Sequence, residues 1–156
     1  MSVNRGKDFE AVIRKSIEKV ENTFIVRLPD PTNGYLGVRN ISDFLVYNYP
    51  LLYILECKSV HGNILPFSNI TDNQWKGMLD ASKISGVVAG VICWWIDHDV
   101  TKFIPIQLLK SLKDNGSKSI RFDVIASNGH HVIDIFGKKK RVFFDYDMET
   151  FFSATY

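Results

Sequence analysis

Three residues, Asp43, Glu56 and Lys58, have types and spacing that suggest chemistry. They fall in the runs ISDFLVYN and LLYILECKS, which read as the two strands of an antiparallel hairpin turning at Tyr49-Pro50. With a two-residue loop, Asn48 faces Leu51 and every opposed pair has residue numbers summing to 99, so Asp43 faces Glu56. Side chains opposed in this way lie about 4.5 to 5.5 Å apart at Cβ, and like charges there repel unless a cation bridges them. Strand alternation puts Leu52, Ile54, Glu56 and Lys58 on one face, so the ammonium shares the carboxylates' side. No histidine or thiolate points into the group. Such a hard-oxygen site suits magnesium, with manganese able to substitute, and the backbone carbonyl of Cys57 is a further oxygen ligand.

The matching reaction is phosphodiester hydrolysis. A cation would polarise a phosphoryl oxygen and lower the pKa of a bound water, while Lys58 orients that water or stabilises charge on the phosphate. No covalent intermediate is required, and the number of metals is open. A D…ExK spacing by itself is common. Here it ends an apolar strand preceded by a facing aspartate and an upstream helix, as the mechanism needs.

The elements that must position these residues are short and mixed. Phe9, Val12, Ile13, Ile17 and Val20 recur at helical spacing over about 5 to 21, with Asn22 ending the pattern. Glu10 sits on the border of that helix's apolar face, within reach of the metal edge. Thr23 to Leu28 reads as a strand, and Pro29 to Asn40, with two prolines and two glycines, as a loop. LLYILECKS is apolar on both faces, which marks a central strand. Thr71 to Ile84 reads as a helix with Trp75, Met78 and Leu79 on one side and Thr71 or Asp72 as its start signal. Gln74 on this helix becomes a site residue if the helix packs against the end of the LLYILECK strand. GVVAGVICWWID is a second buried strand, Thr101 to Ile106 an edge strand and Gln107 to Lys113 a short helix. Residues 119 to 156 read as mixed short elements, with Met148 to Phe152 helical.

The chain of 156 residues fits one α/β domain spanning 1–156, and its 46% apolar and 13% aromatic content supplies a sizeable core, which excludes a disordered chain. The opening MSVNRGKDFEAVIRK has no apolar signal-peptide run and no stretch is long enough to span a bilayer, so a cytoplasmic protein without a membrane partner is expected. Cys57 and Cys93 lack CxxC or Cys/His spacing and read as buried, reduced thiols. His61, His98, His130 and His131 have no paired ligand spacing and receive no role. The net charge is only +2, but residues 43–99 hold three Lys/Arg against six acids, whereas residues 1–27 hold six against four and 100–156 nine against six. An acidic middle with basic flanks suits a metal-holding centre with phosphate-binding surroundings.

Taken in order along the chain, these residues resemble the RecU family of Holliday-junction resolvases, within the PD-(D/E)XK nuclease superfamily. The resemblance runs through Asn4-Arg5-Gly6 with Glu10, Ser42-Asp43-Phe44, Leu55-Glu56-Cys57-Lys58-Ser59, Leu65-Pro66-Phe67 to Gln74, Lys118 to Ile120, Asn128-Gly129 and Lys140 to Tyr146. It implies a restriction-endonuclease-like fold, in which a central mixed β-sheet is flanked by helices. It implies metal and catalytic roles for Asp43, Glu56 and Lys58, with Glu10 assisting at the metal and Gln74 at the site. Arg5 would contact the DNA backbone, with Asn4 and Lys7 beside it. A homodimer is implied as well, since resolving a four-way junction takes two symmetric nicks. The bacterial family carries a long stalk-forming insertion before the aspartate, where this chain has only Pro29 to Asn40. The shortness is compatible with a phage-encoded form.

On this reading Lys138, Lys139, Lys140 and Arg141 join the N-terminal cations in holding phosphates. Tyr35, Leu36 and Arg39 are candidates for stacking on or bracing unpaired bases at a crossover. The competing readings are another branched-DNA or restriction-like endonuclease of the same fold and a catalytically silent DNA-binding module.

Overall fold

The computed structural model describes residues 5–29, 40–127 and 132–155. The helical spacing of Phe9, Ile13 and Ile17 produces α1 (Arg5–Glu18), whose apolar stripe is sealed against the sheet. The helix stops earlier than the apolar pattern suggests. Val20 N–H bonds back to Ile17 C=O, and Asn22 then adopts a left-handed backbone with φ 55°, which turns the chain into strand β1 (Thr23–Arg27).

After the loop, β2 (Phe44–Asn48) and β3 (Leu51–Val60) form the expected hairpin, paired from Asn48↔Leu51 to Phe44↔Leu55 in the register summing to 99. Asp43 is not part of the ladder. It stands one residue before β2, its N–H bonded to Leu55 C=O at 3.2 Å and its C=O accepting from Leu28 N–H at 2.8 Å. Beyond β3 come the short strand β4 (Ile64–Pro66) and α2 (Asp72–Ser82), whose N-cap is Thr71. The chain then returns as β5 (Val87–Trp95), parallel to β3 over nine paired positions from Leu52↔Val87 to Val60↔Trp95. A parallel neighbour on one side and an antiparallel one on the other make β3 central, and its apolar residues on both faces reflect that.

β6 (Val100–Pro105) runs antiparallel to β5 and leads into α3 (Ile106–Asp114). It was expected at the edge but lies inside, because the two-residue strand β8 (Ile133–Asp134) pairs along its outer side. The last third resolves into β7 (Ser119–Arg121), which pairs with β4, followed by α4 (Phe122–Ser127), the hairpin β9 (Gly137–Lys139) and β10 (Phe144–Tyr146), and α5 (Met148–Thr155). The main sheet is six-stranded and mixed, in the order β1-β2-β3-β5-β6-β8.

Helices flank this sheet on both faces. Alternation along β3 sends Tyr53, Leu55 and Cys57 into the cluster built on α1 and α5, where Phe9, Phe151 and Phe152 pack. Ile54 and Val60 go to the opposite cluster beneath α2 and α3, with Trp75, Met78 and Leu109. Both cysteines are buried and free, as their context suggested. Among the described residues no helix is long and apolar enough to cross a membrane.

Gly90 marks the tightest contact in the sheet, since a Cβ there would sit 2.3 Å from Ile104 O and 2.8 Å from the Phe103 ring. Gly90→Ala is therefore expected to lower stability by about 3 kcal/mol through overpacking, read as the shift in urea midpoint at unchanged slope. A shift within the usual scatter of surface substitutions would contradict the close β5–β6 contact.

Candidate metal centre

The site exists because β2 gives out before β3 does. Up to Phe44↔Leu55 the two strands are paired, and from Glu56 onward that edge of β3 has lost its partner. The Asp43 side chain folds into the gap, its Oδ2 accepting the Cys57 N–H at 2.8 Å. A strand residue presents its N–H and C=O to the same side, so the Cys57 carbonyl opens toward the same gap. Glu56, only 3% exposed, lies across from Asp43 on the α2 face, and the two carboxyls hydrogen-bond each other. Lys58 places its Nζ 3.6 Å from Glu56 Oε1.

Two helices reach this point from opposite faces of the sheet. From α2, the Gln74 amide Nε2 donates to Glu56 Oε2 at 2.8 Å. Its orientation is set by a capping box: Thr71 N–H donates to Gln74 Oε1 at 3.0 Å, while Gln74 N–H donates to Thr71 Oγ1 at 3.2 Å. With the oxygen spent on the cap, the nitrogen must face the carboxylate. From α1, Glu10 hydrogen-bonds Asp43, and its Oε2 accepts from both Nε and Nη2 of Arg27 at 3.1 Å.

Three carboxyl groups are thus joined in a row, Glu10 to Asp43 to Glu56. Burial pushes Glu10 up to about 7, the hydrogen bond and charge of Asp43 add to this, and Arg27 opposes it. Burial also raises Asp43 to about 7, reinforced by the charge of Glu56 and opposed by the Cys57 N–H. Glu56 is raised by burial as well, against the lowering effect of its Asp43 hydrogen bond and of Lys58. Adjacent carboxyls that cannot all ionise share protons, which a cation would displace. The donor set fits a hard cation. The Cys57 thiol is excluded as a ligand because it points into the α1 core and burial drives its pKa up. Among the described residues no group of three or more His, Cys, Asp or Glu side chains is placed to hold a metal ion by itself. The groups here that could hold a hard cation are two carboxylates, Asp43 and Glu56, and the Cys57 carbonyl, all oxygen donors.

Of the residues singled out in the sequence, Glu10, Asp43, Glu56, Lys58 and Gln74 converge here. Asn4, Tyr35, Leu36, Arg39, His130 and His131 lie outside the described residues. Arg5 and Lys7 lie on the first turn of α1. Lys138 to Arg141 occupy β9 and the turn after it, with Lys139 paired to Asp99. His61 bonds Asp97, and His98 bonds Asn63 and stacks on Phe122, which accounts for both without chemistry. Sequence reasoning missed Arg27. A faint signal existed, since Arg27 alternates with Ile25 onto the face that α1 covers and a half-buried cation there requires a carboxylate.

No family model matches the chain, and a search of curated proteins finds no match. Among solved structures the chain is similar to Hjc, a Holliday junction resolvase from the archaeal hyperthermophile Archaeoglobus fulgidus. The two are 17% identical, with a TM-score of 0.48 over 66% of this chain and 78% of that one.

Because Glu10 and Asp43 are raised to about 7 in the folded protein, the native state binds more protons than the unfolded chain between about pH 4 and about pH 7. Metal-free stability should therefore fall as pH rises through that window and level off above it. In thermal unfolding with chelator, the midpoint at about pH 8 is expected to lie at least roughly 3 °C below that at about pH 5. Magnesium or manganese should recover the difference at the higher pH and do little at the lower, and Glu56→Gln should lose the metal response. Stability that climbs over the same range would count against the carboxyl row.

Proposed function

We propose that this chain is a magnesium-dependent endodeoxyribonuclease acting on branched DNA, with four-way junctions as the substrate the sequence resemblance favours. The observation that carries the reading is the facing pair Asp43 and Glu56 at the point where β2 leaves β3, with Lys58 on the same face. A buried, mutually repelling carboxylate pair is costly unless something binds it, and a six-stranded mixed sheet flanked by helices is the scaffold expected of a restriction-endonuclease-like nuclease.

In this reading Asp43, Glu56 and the Cys57 carbonyl would hold magnesium, with manganese able to replace it. When bound, the ion supplies Lewis-acid polarisation of a phosphoryl oxygen and acidifies a water molecule. The chain's own groups do the rest. Lys58 donates to the attacking water or to a phosphate oxygen, placing positive charge where negative charge develops. Gln74, locked by the Thr71 cap, donates to one oxygen of Glu56 and so orients its carboxylate. Glu10, braced by Arg27, holds Asp43 from the other side. Arg5, Lys7, Lys138, Lys140 and Arg141 contribute phosphate contacts. Two copies related by a two-fold axis would place paired nicks on opposite strands.

The test is a cleavage assay on four-way junctions, forks and linear duplex in magnesium, manganese and chelator. Paired nicks on the junction with either metal and none in chelator are expected. Asp43→Asn and Glu56→Gln preserve the hydrogen-bonding shapes and should lower the rate at least roughly a hundredfold, with DNA binding retained. Lys58→Ala should lose cleavage but keep metal-dependent thermal stabilisation. Near-normal turnover in either carboxylate variant would remove the site from the reaction. Binding without cleavage in either metal would assign the chain to DNA recognition alone, and cleavage of forks in preference to junctions would change the substrate.

A further inference from the structure

The hairpin β9–β10 and the start of α1, far apart in sequence, together form a groove of about 680 Å³ lined by Arg5, Lys140, Arg141, Val142 and Phe143. The hairpin closes with Lys140 N–H donating to Phe143 C=O at 2.8 Å, which leaves Arg141 and Val142 as its two-residue tip. Phe143 and Val142 supply its apolar floor. The Phe143 ring packs at 5.4 Å on Trp94, which is itself 1% exposed, so the floor is anchored in the core. The groove is also preformed, because the hairpin is tied to α1 at two points. Ser16 Oγ accepts the Tyr146 N–H at 3.1 Å, and Lys19 Nζ pairs with Asp145 at 2.6 Å.

The lining combines three cations with an apolar floor, and no carboxylate lines it among the described residues. The nearby Asp145 is held by Lys19 and lowered further by the charges of Lys140 and Lys138. Neither Arg5 nor Arg141 makes an ion pair among the described residues. Phosphate contacts alone would need only the cations. An aromatic and apolar lining together with guanidinium groups matches a ligand that is anionic and planar at once, namely an unstacked nucleotide. We infer that this groove grips a nucleotide lifted out of the duplex, so that the protein selects DNA with an unpaired base close to the carboxyl site.

The inference rests on the DNA-directed reading above and adds where the strand is held. Arg5 and Glu10 both stand on α1, so one helix borders the groove and the carboxyl row.

The experiment measures binding in chelator, so that cleavage plays no part. Fluorescence anisotropy would compare a fully paired duplex, the same duplex with two central mismatched nucleotides, and a polyglutamate peptide, using the full chain and the Val142→Ser and Val142→Glu variants. Val142 is 40% exposed at the hairpin tip, so these changes should leave folding intact, and circular dichroism checks this. The expected result is a roughly tenfold preference for the mismatched duplex in the unaltered chain. Val142→Ser should reduce it to about twofold with paired-duplex affinity unchanged, and Val142→Glu should abolish it. Equal affinity for both duplexes in the unaltered chain, or a preference that survives both variants, overturns the inference while leaving nuclease action standing. No DNA binding at all overturns both, and polyglutamate bound as tightly as DNA assigns the groove to an acidic protein.

Discussion

Glu56 is a carboxylate in the middle of a sheet, 3% exposed and facing Asp43, and much of the surrounding architecture serves to keep it there. An isolated ionised carboxylate in such a place would be prohibitively costly. Here it receives the Gln74 amide on one side and the Lys58 ammonium on another, and it shares a hydrogen bond with Asp43. These partners offset part of the burial cost but do not cancel it, since burial still holds the Glu56 carboxyl above its ordinary pKa. Under the proposed reading, that residual cost is what a bound cation would relieve. A carboxyl row fully neutralised by its own neighbours would have nothing left to offer a cation.

The same constraint explains why both faces of the sheet are committed to one point. α1 and α2 lie on opposite sides of β3 and pack into separate apolar clusters, yet each sends one side chain to the end of β2. Glu10 arrives braced by Arg27, and Gln74 arrives braced by the Thr71 cap. In both cases the bracing contact consumes the part of the side chain that could otherwise turn away. Local helix chemistry at residue 71 is thereby coupled to the geometry of a carboxylate on another element, fifteen residues earlier in the chain.

Charge is segregated in space more clearly than along the chain. The acidic row is buried at the split between β2 and β3, while cations from the first turn of α1 and from the β9–β10 tip meet over an apolar floor. Ser16, a small polar residue buried on the apolar side of α1, joins the two regions by bonding to the β10 backbone. On the proposed reading, an anionic polymer laid across this surface would meet the cations before the carboxyl row.

Much of this was legible in the sequence, and the reason is the period of a strand. The register of β2 against β3 follows from a two-residue turn and strict alternation, so Asp43, Glu56 and Lys58 could be placed on one face before any coordinates were known. The N-terminal helix and the central character of β3 followed from apolar periodicity in the same way. Tertiary packing alone decided what periodicity does not encode. Asp43 closes the end of the ladder through its own backbone, its N–H to Leu55 and its C=O to Leu28, which frees its side chain to fold over the edge of β3 onto the Cys57 N–H. β6 is interior because two residues, Ile133 and Asp134, happen to pair with it, a strand too short to leave any pattern. Arg27 belongs to the site because α1 crosses β1 at Glu10, and Arg5 meets Arg141 because Ser16 and Lys19 pin the hairpin to that helix. Periodicity is a property of neighbours along the chain, whereas each of these contacts depends on where two separately folded elements come to rest against one core.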